Sequence, residues 1–424
     1  MASPEGRFWT SRGSRHKSTD AMNLRRQLLL AILTVLPAAV SAQSVISSTV
    51  LVPLHYRAID SGGFKLGIYA SIGGSTNPQI FEFDTGGAGF YAAYASSDTS
   101  KSPWWGTGFA ATGNSVTNTY DSGICYEGTV VTAPVSIYSD HHSIAPLVTT
   151  SAAMNVGQMT SITNTNGGAA LWRPDGNDGG QPPIDGAFYG DFGMSLAYAD
   201  SGIVNLVAQL SFTNGIIPGF RVRAYGASPH LQIGLTAADT SSSSAFYFGM
   251  NTNTNAPVGA TFTNSGSPFY SEQVFNANMT ISNATTNFTA NLGITTDTGA
   301  STTIHNGNLG GIPGDLYVTN DDGKVYLVPG ADLGLSGLTV SGTNAEFYQF
   351  VTTNKQVTIQ DGKTNNTTFY LNSGLALFQQ YDVIYNLQDG QIGFEAVPEP
   401  STWALVVLGA TLLTAVVARR RFCR

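Results

Sequence analysis

An all-β protein built from two related halves is predicted by three observations. Only 11% of the 424 residues are charged and 48 are Gly, whereas ordinary soluble domains carry about 25% charge. Short runs of alternating apolar and β-branched residues recur between clusters of Gly, Asn, Asp and Ser, as half-buried strands require. The tripeptide Asp-Thr-Gly occurs twice, 213 residues apart, and each copy follows such a run. A hydrophobic fraction of 42% is enough for a sizeable core over this length.

The elements follow in chain order. Met22-Asn23-Leu24-Arg25-Arg26, the apolar run Leu28 to Val40 and the small-residue box Val40-Ser41-Ala42 make a signal peptide over residues 1–42. A complete signal begins at Met22, so translation is expected to start there and the mature chain at Gln43. Strands are predicted at Phe64–Tyr69, Gln79–Phe83, Val130–Tyr138 and Phe246–Phe248. Others are predicted at Lys324–Val328, Gln356–Ile359 and Thr368–Leu371. Ile203–Leu210 is the best short helix, and the Asn/Thr/Ser-rich stretches 151–167, 251–266 and 278–290 read as loops. Asn-x-Thr tripeptides there, such as Asn278-Met279-Thr280, reflect composition rather than glycan sites.

The C-terminus is a second address. Val397-Pro398-Glu399-Pro400-Ser401 leads into an uncharged segment, 403–418, followed by Arg419-Arg420-Arg421. That segment is slightly shorter than the ~20 residues of a full bilayer span, and the arginines would keep the tail cytoplasmic. This order resembles the PEP-CTERM sorting signal of Gram-negative bacteria that make exopolysaccharide. The resemblance over 397–424 implies transient membrane insertion, processing by an exosortase, and delivery to the cell surface, outer membrane or extracellular matrix.

Charge and motif content exclude several functions. Residues 43–397 hold 9 basic and 24 acidic residues, with no basic stripe for phosphates, so no nucleic-acid partner is expected. Cys125 is the only cysteine of the body, which rules out a disulfide framework and a cysteine zinc site; a small buried residue is expected there, not a nucleophile. Gly-x-Ser-x-Gly, His-Glu-x-x-His and Gly-x-x-x-x-Gly-Lys-Ser/Thr motifs do not occur. His141 and His142 would face opposite sides of a strand and share no metal. Trp104-Trp105 suits either packing or stacking on a ligand.

The repeated tripeptide carries the chemistry. With 20 Asp, 46 Thr and 48 Gly, chance gives about a quarter of one such triplet per chain, so two point to internal duplication. Two carboxyls brought face to face cannot both ionise cheaply; they share a proton and titrate as a pair. The charged member can activate water while the protonated one polarises a carbonyl, hydrolysing a peptide bond without metal, cofactor or covalent intermediate. Gly permits close approach of the two loops, and a Thr hydroxyl can lock each by hydrogen bonding.

These residues resemble the pepsin-like aspartic peptidases. The likeness covers Asp84-Thr85-Gly86 and Asp297-Thr298-Gly299-Ala300-Ser301, and extends to Ile184–Gly190, Leu231–Gly234, Ala245–Gly249 and the hairpin Tyr381–Tyr385 to Gln391–Phe394. It implies two lobes, 43–225 and 226–396, shaped as similar β-barrels about a cleft, with a signal helix before them and an apolar helix behind. It further implies Asp84 and Asp297 as the catalytic dyad, with Thr85, Gly86, Thr298 and Gly299 supporting it. A flap tyrosine is implied too; Tyr120 is the candidate and Tyr126 the rival. A monomer acting on an extended peptide or protein, with no cofactor, is expected.

Three departures from the family pattern stand out. The hydroxyl residue that usually follows each tripeptide is Gly87 in one copy and Ala300 in the other. The hydrophobic-hydrophobic-Gly element of the second lobe reads Asn372-Ser373-Gly374, and the family's disulfides are missing. The competing reading is a catalytically inactive pepsin fold, or another all-β surface protein of an exopolysaccharide matrix. Whether Asp84 and Asp297 come within hydrogen-bonding reach separates the two.

Overall fold

The computed structural model describes residues 45–150, 153–173, 182–306, 311–361 and 369–397, all within one compact unit, Ser41–Arg424. Strands dominate them, in an eleven-stranded, a nine-stranded, a six-stranded and a two-stranded sheet. The eleven-stranded sheet is built from residues 55–194, the nine-stranded sheet from 275–372. The six-stranded sheet joins distant parts of the chain: Val50–Pro53, Ile217–Arg223, His230–Leu235, Ala245–Gly249, Tyr381–Asn386 and Gln391–Ala396.

Both large sheets contain the same local arrangement. Strand Gln79–Asp84 runs into the first Asp-Thr-Gly and the chain returns as Ala88–Ala93, with Gly190–Met194 inserted between them, parallel to the first and antiparallel to the second. In the other sheet, Asn287–Thr295 leads to the second Asp-Thr-Gly and Thr303–Asn306 leaves it, with Tyr370–Asn372 inserted in the same way. Each loop therefore straddles a third strand, which fixes where its aspartate points. Gly193 is register partner to Asp84, and a Cβ there would collide with the carbonyls of Gly87 and Gly89.

Apolar residues facing inward every second position build the core. Phe81, Phe83, Phe90 and Phe192 are fully buried beneath the first loop, with Phe81 edge-on to Phe90 at 4.8 Å between ring centres. Phe248, Phe275, Phe347 and Phe394 form the counterpart between the six- and nine-stranded sheets. Trp104 and Trp105 are buried, and both indole N–H groups donate to the Ala93 carbonyl, so these rings pack rather than present a face to a ligand. Cys125 is buried as a free thiol.

The predicted fold needs correction in two respects. Among the described residues no sheet closes into a barrel: closure would need the outermost strands to pair, yet Val148–Thr149 and Ala110–Thr119 are the ends of one sheet, Tyr317–Thr319 and Asn344–Val351 of the other. Outer strands of two and three residues offer too few ladder groups to complete a ring. No described helix is long and apolar enough to cross a membrane. The longest has 5 residues, Gly374–Phe378, and Ile203–Leu210 contains only the single turn Val207–Gln209. The predicted signal peptide and the predicted 403–418 membrane segment lie outside the described residues.

Local expectations also shift. Met154–Asn164, assigned to a loop, is an eleven-residue strand inside the first sheet, and 278–290 holds most of the hairpin Phe275–Ser282 and Asn287–Thr295. Its Asn and Thr residues occupy the outward positions of a period-two pattern. Pro134, which has no N–H to donate, splits the run 130–138 into Ile124–Ala133 and Val135–Tyr138. His141 and His142 sit in a turn with ring centres 3.6 Å apart rather than on opposite strand faces.

An ionic cluster holds the six-stranded sheet. Buried Asp382 accepts hydrogen bonds from Arg221 and Arg223, and Arg221 also reaches Glu395 and Asp239. Asp382→Ala leaves both guanidinium groups short of a partner. Glu395 and Asp239 still face Arg221, and Arg223 is 37% exposed, so the expected loss is about 2–3 kcal/mol, below that of a fully buried pair. Urea unfolding of the variant checks this.

Candidate active site

The two tripeptide loops meet tip to tip. Thr298 Oγ1 accepts from the Thr85 N–H at 3.1 Å and donates to the Phe83 carbonyl at 2.7 Å. Thr85 Oγ1 accepts from the Thr298 N–H at 3.0 Å and donates to the Thr296 carbonyl at 2.8 Å. Four reciprocal bonds thus tie residues more than 200 positions apart, and each hydroxyl both donates and accepts. From below, the buried Tyr385 hydroxyl of the six-stranded sheet bonds Thr296 Oγ1 at 2.8 Å.

This clasp brings the carboxyls of Asp84 and Asp297 into hydrogen-bonding reach of one another. Each is oriented by its own loop: Gly86 N–H donates to Asp84 Oδ1 at 2.8 Å and Gly299 N–H to Asp297 Oδ1 at 2.7 Å. The glycines are required by space. A Cβ on Gly299 would lie 2.7 Å from Asp84 Cγ, and one on Gly86 would overlap the Asp297 carboxyl. Asn372 Nδ2 adds a bond to Asp297 Oδ2 at 2.6 Å.

Burial pushes the Asp297 carboxyl well above the ordinary range, and the charge and hydrogen bond of Asp84 push the same way. Asn372 and the Gly299 N–H oppose the shift without cancelling it. A proton held between the two carboxyls is therefore favoured on Asp297.

Tyr120 stands at the tip of the hairpin formed by Ala110–Thr119 and Ile124–Ala133, in a turn closed by Gly123 N–H to the Tyr120 carbonyl. Its hydroxyl donates to Asp191 Oδ2, close to the dyad. Tyr126 is instead buried inside the sheet, stacked on Tyr91 at 5.6 Å. The departures at Gly87 and Asn372 also find their places. Asn372 is a ligand of Asp297, and the room above Gly87 is taken by Asp191.

Sequence reasoning passed over Asp191 and the pair beneath it. Buried Glu82 bonds Lys65 at 2.7 Å, and Lys65 also reaches Asp185 at 2.8 Å. Burial pushes Glu82 up to about 7, helped by Asp84 and opposed by Lys65. The available signal was a lone acid inside Gly190-Asp191-Phe192-Gly193, in a chain otherwise sparing with charge. Among the described residues no group of three or more His, Cys, Asp and Glu side chains could hold a metal ion.

These acids set a pH dependence of stability. Asp191, Asp297, Glu82 and Glu272 are all raised in the folded state, chiefly by burial. A raised folded pKa means the native state holds the proton longer, so the stabilisation is complete below the unfolded value and lost as pH rises through the folded one. His305, lowered by burial, opposes this, while Asp98, Asp140, Asp239 and Glu395, lowered in the folded state, act at more acidic pH. The unfolding midpoint is therefore expected to fall between pH 4.5, the ordinary Glu value, and about 7, where Glu82 titrates. A urea titration series across that window checks the sign.

No family model matches the chain, and no curated protein matches it. Among solved structures it is similar to the aspartic proteinase from Irpex lacteus, with a TM-score of 0.52 and 14% identity, covering 84% of this chain and 99% of that one. At that identity the likeness speaks for the fold: the chain is an arrangement of open β sheets laid out as in a pepsin-like aspartic proteinase.

Proposed function

We propose that this protein is an aspartic endopeptidase, with Asp84 and Asp297 as its dyad. The observation that carries the reading is the reciprocal Thr85–Thr298 clasp, which holds two acids together at the meeting point of two like loops. A structural turn has no use for a second carboxyl at such cost in burial. Asp84 takes a proton from water as that water attacks the peptide carbonyl; Asp297 donates its proton to the carbonyl oxygen as charge develops there. The resulting gem-diol collapses as Asp84 passes the proton it took from water to the amide nitrogen, which leaves as the amine, while Asp297 regains its proton from a gem-diol hydroxyl and the carboxylic acid product forms.

The halves 43–225 and 226–396 form the two sides of the substrate cleft in this reading, and the Tyr120 hairpin covers it. An extended peptide suits the site, since its backbone can pair with the hairpin and leave alternate side chains to pockets. Export and surface delivery in a Gram-negative bacterium, with exosortase processing and transient membrane insertion, are part of the proposal. They rest on the signal-like residues 1–42 and the sorting-like residues 397–424.

The test is inhibition together with cleavage. A peptide carrying a hydroxyl-bearing tetrahedral carbon in place of the scissile carbonyl imitates the intermediate and is expected to bind at least about 100-fold tighter than the parent peptide. Equal affinity for the two, with the parent left intact, would refute the enzyme and favour the surface-protein reading.

A further inference from the structure

Asp191 lies beside the dyad with no part in the mechanism so far. It is 3% exposed, on the strand Gly190–Met194. Its Oδ2 accepts the Tyr120 hydroxyl, and among the described residues its buried Oδ1 has no hydrogen-bond partner. Gly87 explains its position. A Cβ on Gly87 would lie 2.6 Å from Asp191 Oδ2 and 2.8 Å from Asp84 Oδ2. The two carboxyls therefore occupy the place a side chain at residue 87 would take, which only a glycine leaves to them.

We propose that Asp191 is a positioning residue of the dyad: its carboxyl fills the space above Gly87 and couples Asp84 to the hairpin-tip Tyr120. The inference rests on the endopeptidase reading and adds a third acid to it. An ionised carboxylate with one oxygen unpartnered and a second acid across a small space is costly, so the geometry favours a neutral Asp191.

The groups facing it come from five elements. They are Glu82 and Asp84 on Gln79–Asp84, Lys65 on Phe64–Ile72, Tyr91 on Ala88–Ala93, Tyr126 on Ile124–Ala133, and Tyr120 at the hairpin tip. Burial and the charges of Asp84 and Glu82 raise its pKa, while Tyr120 and Lys65 pull it down. Losing the proton sets a negative charge beside Asp84 and tightens the Tyr120 bond, since hydrogen bonds to ionised acceptors are stronger. Both effects hold the hairpin down and disturb the shared proton. Loss of the Asp191 proton thus adds to the dyad's own titration on the alkaline limb of activity.

Two measurements on the full-length chain test this. Infrared spectroscopy reads the carbonyl stretch of protonated carboxyls and does not need turnover. The wild-type minus Asp191→Asn difference is expected to show an acid band that persists toward neutral pH, with its midpoint shifted to lower pH when Asp84→Asn removes the neighbouring charge. No difference band, or a midpoint indifferent to Asp84→Asn, overturns the coupling even if the enzyme cleaves peptides. An intact coupling in a folded protein that cleaves nothing would instead sink the endopeptidase reading alone.

Kinetics supply the second readout. Asp191→Asn stays neutral at every pH and is expected to move the alkaline limb of kcat/KM upward by about one pH unit or more. Gly87→Ser and Asp191→Ala should each lower kcat/KM, by crowding and by emptying the space respectively. The double variant, which puts a hydroxyl where the carboxyl stood, should exceed both single variants. Additive losses with an unmoved limb would reduce Asp191 to a packing residue.

Discussion

Asp84→Asn and Asp297→Asn are each expected to abolish peptide cleavage while leaving the fold intact. The amide is isosteric with the carboxyl, and Gly86 N–H or Gly299 N–H can still donate to its oxygen. What disappears differs between the two. In the proposed mechanism, Asp84→Asn removes the base that takes the proton from water, and Asp297→Asn removes the acid that protonates the carbonyl. Each loss is expected to reach roughly 10²–10⁴-fold or more in kcat, the range for general acid–base catalysis. The combined variant should be little worse than either alone, because a dyad acts as a unit. Stability moves the other way. Burial raises Asp297 well above the ordinary carboxyl range, so an amide there should make the protein more stable near neutral pH. Urea unfolding of Asp297→Asn beside the wild type checks that sign.

Thr298→Val has the second large effect, on fold and site together. Valine keeps the shape but removes an oxygen that accepts from Thr85 N–H and donates to the Phe83 carbonyl. Both groups are then buried without a partner. At about 1–3 kcal/mol each, the expected loss of stability is about 2–6 kcal/mol. Thr298→Ser retains the hydroxyl and should lose far less. The loops also part slightly in the valine variant, which loosens the shared proton, so its activity should fall more than its folded fraction. Activity measured against folded fraction by circular dichroism separates the two effects. A valine variant with wild-type stability would mean the clasp contributes nothing net.

The pairing of Asp84 with Asp297 was legible in sequence because the chemistry proposed for it tolerates few substitutes. The acids must be Asp, the close approach demands Gly, and the clasp needs a hydroxyl, so the same triplet appears twice. Strands such as Gln79–Asp84 were legible through local alternation. Asp191 was not, because its role arises from pairing across more than 100 positions: Glu82 and Asp84 lie beside it only through the register of Gly190–Met194. Met154–Asn164 escaped for a related reason. It sits between two strands, where neighbours supply the burial that its own Asn, Thr and Ser residues do not announce. Closure of the sheets likewise depends on which edges meet, and no local pattern records that.

The most direct test of the central claim is the pH–rate profile for cleavage of an unfolded protein by the full-length chain, followed by mass spectrometry of the products. One shared proton on a buried pair of acids predicts a bell-shaped profile with its maximum on the acidic side, and new termini within the substrate rather than at its ends. A folded sample that cuts nothing between strongly acidic and neutral pH would contradict the account, as would cleavage that keeps rising above neutrality.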